Sequence, residues 1–89
     1  MEVIFTPQAK KDFDFWKKTR NLSIQKKITQ LIEAIKEDPY KGIGKPEPLK
    51  YELSGSWSRR INSEHRIVYQ LIDENIIIIL EIQSLKGHY

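Results

Sequence analysis

The sequence predicts an α+β fold: two N-terminal helices packed on a mostly antiparallel four-stranded sheet, in the order β-α-α-β-β-β. Three observations carry that expectation. Apolar residues in the first half recur at helical spacing, and those in the second half alternate or run together as strands do. Between the halves lies a stretch, 41–48, with two glycines and two prolines, which reads as a loop. With 89 residues there is room for one core, so 1–89 is expected to be a single domain of modest stability.

Each element has a local reason. Residues 2–5 alternate enough for a short strand, ended by Thr6-Pro7. Thr6 suits an N-cap, and Pro7 suits the first helical position, where its missing N–H would have no partner anyway. Ala9, Phe13 and Trp16 then recur at i, i+4 and i+7, one face of a helix ending near Arg20 or Asn21. Ser23 can cap a second helix with Ile24, Ile28, Leu31, Ile32 and Ile35 as its apolar stripe. Pro39 stops it, because the residue before a proline is pushed out of the helical region. The short polar link suggests an antiparallel helical hairpin. Past the loop and Leu49 to Leu53, Ser54-Gly55-Ser56 turns the chain into a strand at 57–61. Asn62-Ser63-Glu64 turns it again into a strand at 65–72, with Ile67, Tyr69 and Leu71 on one face and Arg66, Val68 and Gln70 on the other. Asp73-Glu74-Asn75 makes the last turn. The run IIIIL at 76–80, continuing to Ile82, reads as a strand covered on both faces.

Composition removes several classes of function. There is no cysteine, hence no disulfide or thiolate chemistry. His65 and His88 are far apart and suggest no metal site, so neither metal nor cofactor is expected. The opening MEVIFTPQAKKDFDFW lacks the long apolar core of a signal peptide, and no stretch approaches the roughly 20 apolar residues of a membrane span. A cytoplasmic protein with no membrane partner is expected. The net charge of +3 is unevenly placed: six basic and three acidic residues lie between Lys41 and Arg66, and nine of each sign elsewhere. A local positive field suits a polyanion such as RNA.

RNA cleavage without a metal requires a base for the ribose 2′-OH, cations for the phosphoryl oxygens and an acid for the departing 5′ oxygen. Glu47, Arg66 and His88 are of the right types, with Lys45, Lys50, Arg59 and Arg60 as further cations. Specific wording accompanies them: Gly44-Lys45-Pro46-Glu47-Pro48-Leu49-Lys50, Leu53-Ser54-Gly55, Trp57-Ser58-Arg59-Arg60-Ile61, Glu64-His65-Arg66-Ile67-Val68-Tyr69, and the terminal His88-Tyr89. In these stretches, and end to end, the chain resembles the Txe/YoeB family of bacterial toxins, within the RelE/ParE superfamily.

The resemblance implies a RelE-like, microbial-ribonuclease-like fold and a toxin of a type II toxin–antitoxin system. It implies a metal-independent endoribonuclease that enters the ribosome and cuts mRNA, leaving a 2′,3′-cyclic phosphate and a 5′-OH. Glu47 matches the family's general base, Arg66 its phosphate-stabilising arginine, His88 its general acid and Tyr89 the terminal tyrosine that helps hold substrate. A separate YefM/Axe-like antitoxin would wrap the toxin, and a homodimer is compatible with the resemblance. One departure stands out: Lys86-Gly87 precedes His88, where several members carry an arginine and an aromatic. A different class also shares the superfold, a non-catalytic binding toxin of the gyrase-inhibitor type, but that class has no need of an acid at its C-terminus.

Among individual residues, the prolines around Glu47 favour a fixed backbone. The forked guanidinium of Arg66 suits two phosphoryl oxygens at once. Arg59 and Arg60 alternate across their strand, so they cannot point the same way, and Arg60 with Lys50 is the expected pair of auxiliary contacts. His65, Trp16, Phe13, Trp57 and Tyr69 are expected in structural roles.

Overall fold

The computed structural model describes residues 2–73 and 75–84. Its elements are β1 (Glu2–Phe5), α1 (Pro7–Lys18), α2 (Leu22–Glu37), β2 (Glu47–Pro48), a 3-10 turn (Tyr51–Leu53), β3 (Trp57–Arg60), β4 (His65–Ile72) and β5 (Ile76–Ser84). The strands form one sheet in the order β1-β5-β4-β3-β2, with β1 parallel to β5 and all other pairs antiparallel. The expected class and element order hold, with one strand more than expected. Glu47 and Pro48 are not loop but pair with Ser58 and Trp57. Proline is tolerated there because β2 is an edge, where no neighbour awaits its missing N–H.

Both helices start where a side chain satisfies a backbone donor. The Thr6 hydroxyl accepts from the Ala9 N–H at 3.0 Å, with Pro7 next in the chain. The second cap is Asn21 rather than Ser23: its side-chain oxygen accepts from the Ile24 N–H at 3.2 Å. Arg20 takes a left-handed conformation (φ 56°) just before it, so the chain reverses sooner than the sequence suggests and Ser23 falls inside the first turn. At the far end Asp38 is extended ahead of Pro39, as expected.

The helices cover one face of the sheet. Ala9 of α1 and Ile24, Ile28, Leu31 and Ile35 of α2 are buried with Ile61, Ile67, Tyr69, Ile77 and Ile79. Each such Ile or Leu contributes about 1.5–3 kcal/mol, so the helical stripe read from spacing supplies much of the driving force for folding. The opposite face is less covered than the isoleucine run suggests. Ile77 and Ile79 are buried, Ile76 and Ile78 only half so, and Ile4 and Ile72 are 41% and 44% exposed.

β5 carries an irregularity that changes which side chains face where. Val68 is opposite Glu81 but Tyr69 is opposite Ile79, so Leu80 is an extra residue, a β-bulge. Before it, Ile77 and Ile79 enter the core; after it, Ile82 does. The capping residue of α1 and a side chain from its middle hold the bulge. The Thr6 hydroxyl donates to the Leu80 carbonyl, and Asp12 Oδ2 accepts the Ile82 N–H at 2.9 Å.

Candidate active site

Cross-strand register places three of the expected site residues, Glu47, Arg60 and Arg66, on the open face of the sheet. Glu47 is opposite Ser58, Ser58 opposite Val68, and Val68 opposite Glu81. One step along, Arg60 is opposite Arg66 and Arg66 opposite Gln83. Opposed residues share a face, as do residues two apart on one strand, so Glu47, Arg60 and Arg66 project to the same side. Strand spacing and rise put the Glu47 and Arg66 backbones roughly 12 Å apart. Ser58 and Val68, small and buried, lie between them.

The Arg60–Arg66 pairing is unusual on energetic grounds. Like charges directly opposite across a sheet repel, and such a pair is stabilised when an anion sits between them. Arg60 is exposed; Arg66 is half-buried, and its Nε and Nη2 donate to Gln83 Oε1 at 2.9 and 2.7 Å. Gln83 has no charge with which to cancel that of the arginine.

The segment carrying Glu47 is held tightly. The Arg60 N–H donates to the Gly44 carbonyl at 2.6 Å, and the Leu49 N–H to the Ser56 carbonyl at 2.9 Å, one tether on each side of β2. Gly44 has φ 83°, and a Cβ there would stand 2.8 Å from Leu31 Cδ2 and 3.0 Å from the Arg60 carbonyl oxygen, so only glycine fits. Lys45 and Tyr51 also have positive φ, 50° and 58°. Non-glycine residues in that region carry strain of about 1–3 kcal/mol each, and they flank the glutamate on both sides. Lys45, Glu47 and Lys50 are exposed.

Arg59 corrects the sequence expectation. It is not a surface cation within reach of a phosphate; it is 0% exposed, on the helix side of the sheet. Its Nε donates to the Tyr69 hydroxyl at 3.2 Å, Nη1 to the Ile43 carbonyl at 3.2 Å, and Nη2 to the carbonyls of Lys41 at 2.9 Å and Asp38. A buried guanidinium is thus solvated by backbone oxygens, beside the negative end of the α2 dipole at Asp38. Tyr69 completes the arrangement by donating to the Pro39 carbonyl at 2.6 Å. Burial pushes the Tyr69 phenol above its ordinary value of 10.0, against a smaller opposing pull from Arg59. Together the two side chains pin residues 38–43, the approach to Glu47.

His65 lies half-buried, its ring edge-on to Trp16 at 4.9 Å between centroids and its Nδ1 without a hydrogen-bond partner. Trp57 packs on the core and against Tyr40. His88 and Tyr89 lie outside the described residues, so the structure brings together Glu47, Arg60 and Arg66 and leaves those two expectations where they stood. Two features escaped sequence reasoning. Gln83 was hidden because the bulge reverses its parity. Tyr51, 91% exposed, was legible in principle as an aromatic between Lys50 and Glu52 directly after the GKPEPLK stretch. Among the described residues no group of three or more His, Cys, Asp or Glu could hold a metal, and no helix is long and apolar enough to cross a membrane.

The architecture is that of the RelE/ParE-like toxins. The YoeB/ParE toxin from Agrobacterium tumefaciens superposes with a TM-score of 0.88 at 37% identity, covering 100% of both chains. YoeB from Staphylococcus aureus, solved as a dimer and in complex with YefM, superposes at 0.84 in each form with 40% identity, over 100% of this chain and 98% of that one. Toxin YoeB of Synechocystis sp. is 48% identical over 89 residues, 100% of this chain and 98% of the relative. A family model, the YoeB-like toxin of bacterial type II toxin–antitoxin systems, matches residues 5–89. The chain belongs to that family.

Proposed function

We propose that this toxin is a ribosome-dependent mRNA endoribonuclease that arrests translation and is neutralised by a YefM/Axe-like antitoxin. The observation that carries the reading is the shared open face, where the Glu47 carboxylate stands near two opposed arginines, Arg60 and Arg66, with Glu81 at the far end of the same cross-strand row. A phosphodiester is the anion that relieves the arginine pair, and its ribose would then present a 2′-OH to the carboxylate. Glu47 takes the 2′-OH proton, O2′ bonds to phosphorus, and the bond from phosphorus to O5′ breaks. Arg66, with Arg60, offsets charge on the phosphoryl oxygens, and His88 donates the proton that O5′ needs. The products are a 2′,3′-cyclic phosphate and a 5′-OH, with no water consumed and no metal in the scheme.

Covalent geometry is compatible with the role of His88. Ser84 is opposite His65, next to the Arg66–Gln83 pair. Four residues of chain reach at most roughly 14 Å from there, enough to bring an imidazole over that pair. Lys45 and Lys50 would steer the polyanion, and Tyr51 offers an exposed ring on which an unstacked base can lie. A carboxylate in open water is a weak base, and one covered by RNA is stronger, which suits a nuclease that works only on the assembled ribosome. The S. aureus relative's YefM complex and dimer extend to this chain as a proposed antitoxin partner and a proposed homodimer. Induction in bacteria tests the reading. Rapid translation arrest with mRNA cut within codons is expected; DNA-damage signalling with intact mRNA would replace it with a gyrase-directed binding toxin.

A further inference from the structure

The partner of Arg66 is glutamine, not a carboxylate. A half-buried arginine usually finds Asp or Glu, which both orients and neutralises it. Here a single amide oxygen takes two N–H groups, from Nε and Nη2. The fork is fixed, its charge is retained, and the rest of its five donors are not engaged by Gln83.

Gln83 reaches that position only through the bulge. Strict alternation from Ile77 and Ile79 would turn residues 81 and 83 toward the helices. The extra residue at Leu80 sends Ile82 inward instead and sets Gln83 opposite Arg66 on the open face. Asp12 and Thr6 fasten the bulge from α1. A helix on the covered side therefore decides which side chain meets the arginine on the open side.

We infer that Gln83 is the positioning residue of Arg66: it aims the guanidinium at a phosphodiester while adding no charge of its own beside it. This rests on the phosphate-stabilising role proposed for Arg66. The test is Gln83→Glu, which keeps shape and both acceptor contacts but adds a charge, alongside Gln83→Met, which keeps length and removes the acceptor. Arg66→Ala serves as the reference. Thermal midpoints and single-turnover cleavage of mRNA in programmed ribosomes are measured for each.

Gln83→Glu is expected to melt at or above the wild-type temperature and yet cleave at least tenfold more slowly, a split that a merely structural pairing would not produce. Gln83→Met is expected to cleave more slowly with its melting little changed. Raising salt should slow wild-type cleavage more steeply than that of Gln83→Glu, because one phosphate contact has been neutralised in the variant. Wild-type cleavage by Gln83→Glu, or failure of that variant to fold, overturns the inference while Arg66→Ala remains inactive. Full activity of Arg66→Ala overturns instead the reading on which it rests.

Discussion

Arg59 and Arg60 are adjacent in sequence, and replacing each in turn should separate stability from activity. Arg59→Met removes a guanidinium that makes four hydrogen bonds, three to the loop carbonyls of Asp38, Lys41 and Ile43 and one to Tyr69. Bonds to a charged donor are worth about 1.5–3 kcal/mol each, but the sum must be discounted heavily. The loop carbonyls can turn to water, Tyr69 keeps its bond to Pro39, and the desolvation penalty of the buried charge disappears. A net loss of about 2–4 kcal/mol remains, or roughly 10–25 °C in the melting midpoint of so small a chain. Arg59→Lys should lose nearly as much, because one ammonium cannot reach acceptors arrayed around a planar fork. Denaturant unfolding at constant slope measures the effect. Arg60→Ala removes an exposed side chain opposed to another arginine, so stability should hold or rise slightly while mRNA cleavage falls about tenfold or more. Wild-type stability in both Arg59 variants would refute the clamp, and an Arg60→Ala protein that unfolds easily but cleaves normally would refute the assignment of faces.

Two further outcomes test the support beneath Glu47. Gly44→Ala should destabilise by about 1–3 kcal/mol, from its positive φ and the contact with Leu31, and should reduce cleavage at temperatures where the chain is still folded; unchanged melting would contradict the tight approach. Tyr69 holds its proton more tightly in the folded chain than in the unfolded one, since burial raises its pKa. Its contribution is therefore intact below pH 10 and is lost as pH rises through the folded value, so wild type should lose more stability across that alkaline range than Tyr69→Phe does; parallel curves would remove the claim.

What the sequence made legible was local and periodic. The Thr6-Pro7 start and the α2 stripe follow from capping chemistry and a repeat near 3.6, and both stand in the structure. The second cap was ambiguous because Asn21 and Ser23 are both good capping residues, and the choice depended on how soon Arg20 reversed the chain. Alternation said that Arg59 and Arg60 face opposite ways. Which one turns inward depended on carbonyls 16 to 21 residues away, a tertiary fact with no local signature. β2 is too short to show any period, so Glu47 read as loop. In β5 five consecutive apolar residues mask the parity change at Leu80, and Gln83 could not be assigned to a face. The logic of the pairing, an arginine aimed by a neutral partner, became visible only with the bulge.

The most direct test is product analysis on purified ribosome complexes programmed with a defined mRNA, comparing wild type with Glu47→Ala. Fragments ending in a 2′,3′-cyclic phosphate and beginning with a 5′-OH are expected, formed about 10²–10⁴ times more slowly by the variant. Cleavage by Glu47→Ala at the wild-type rate, or fragments bearing 3′-OH and 5′-phosphate ends, would contradict the proposed mechanism.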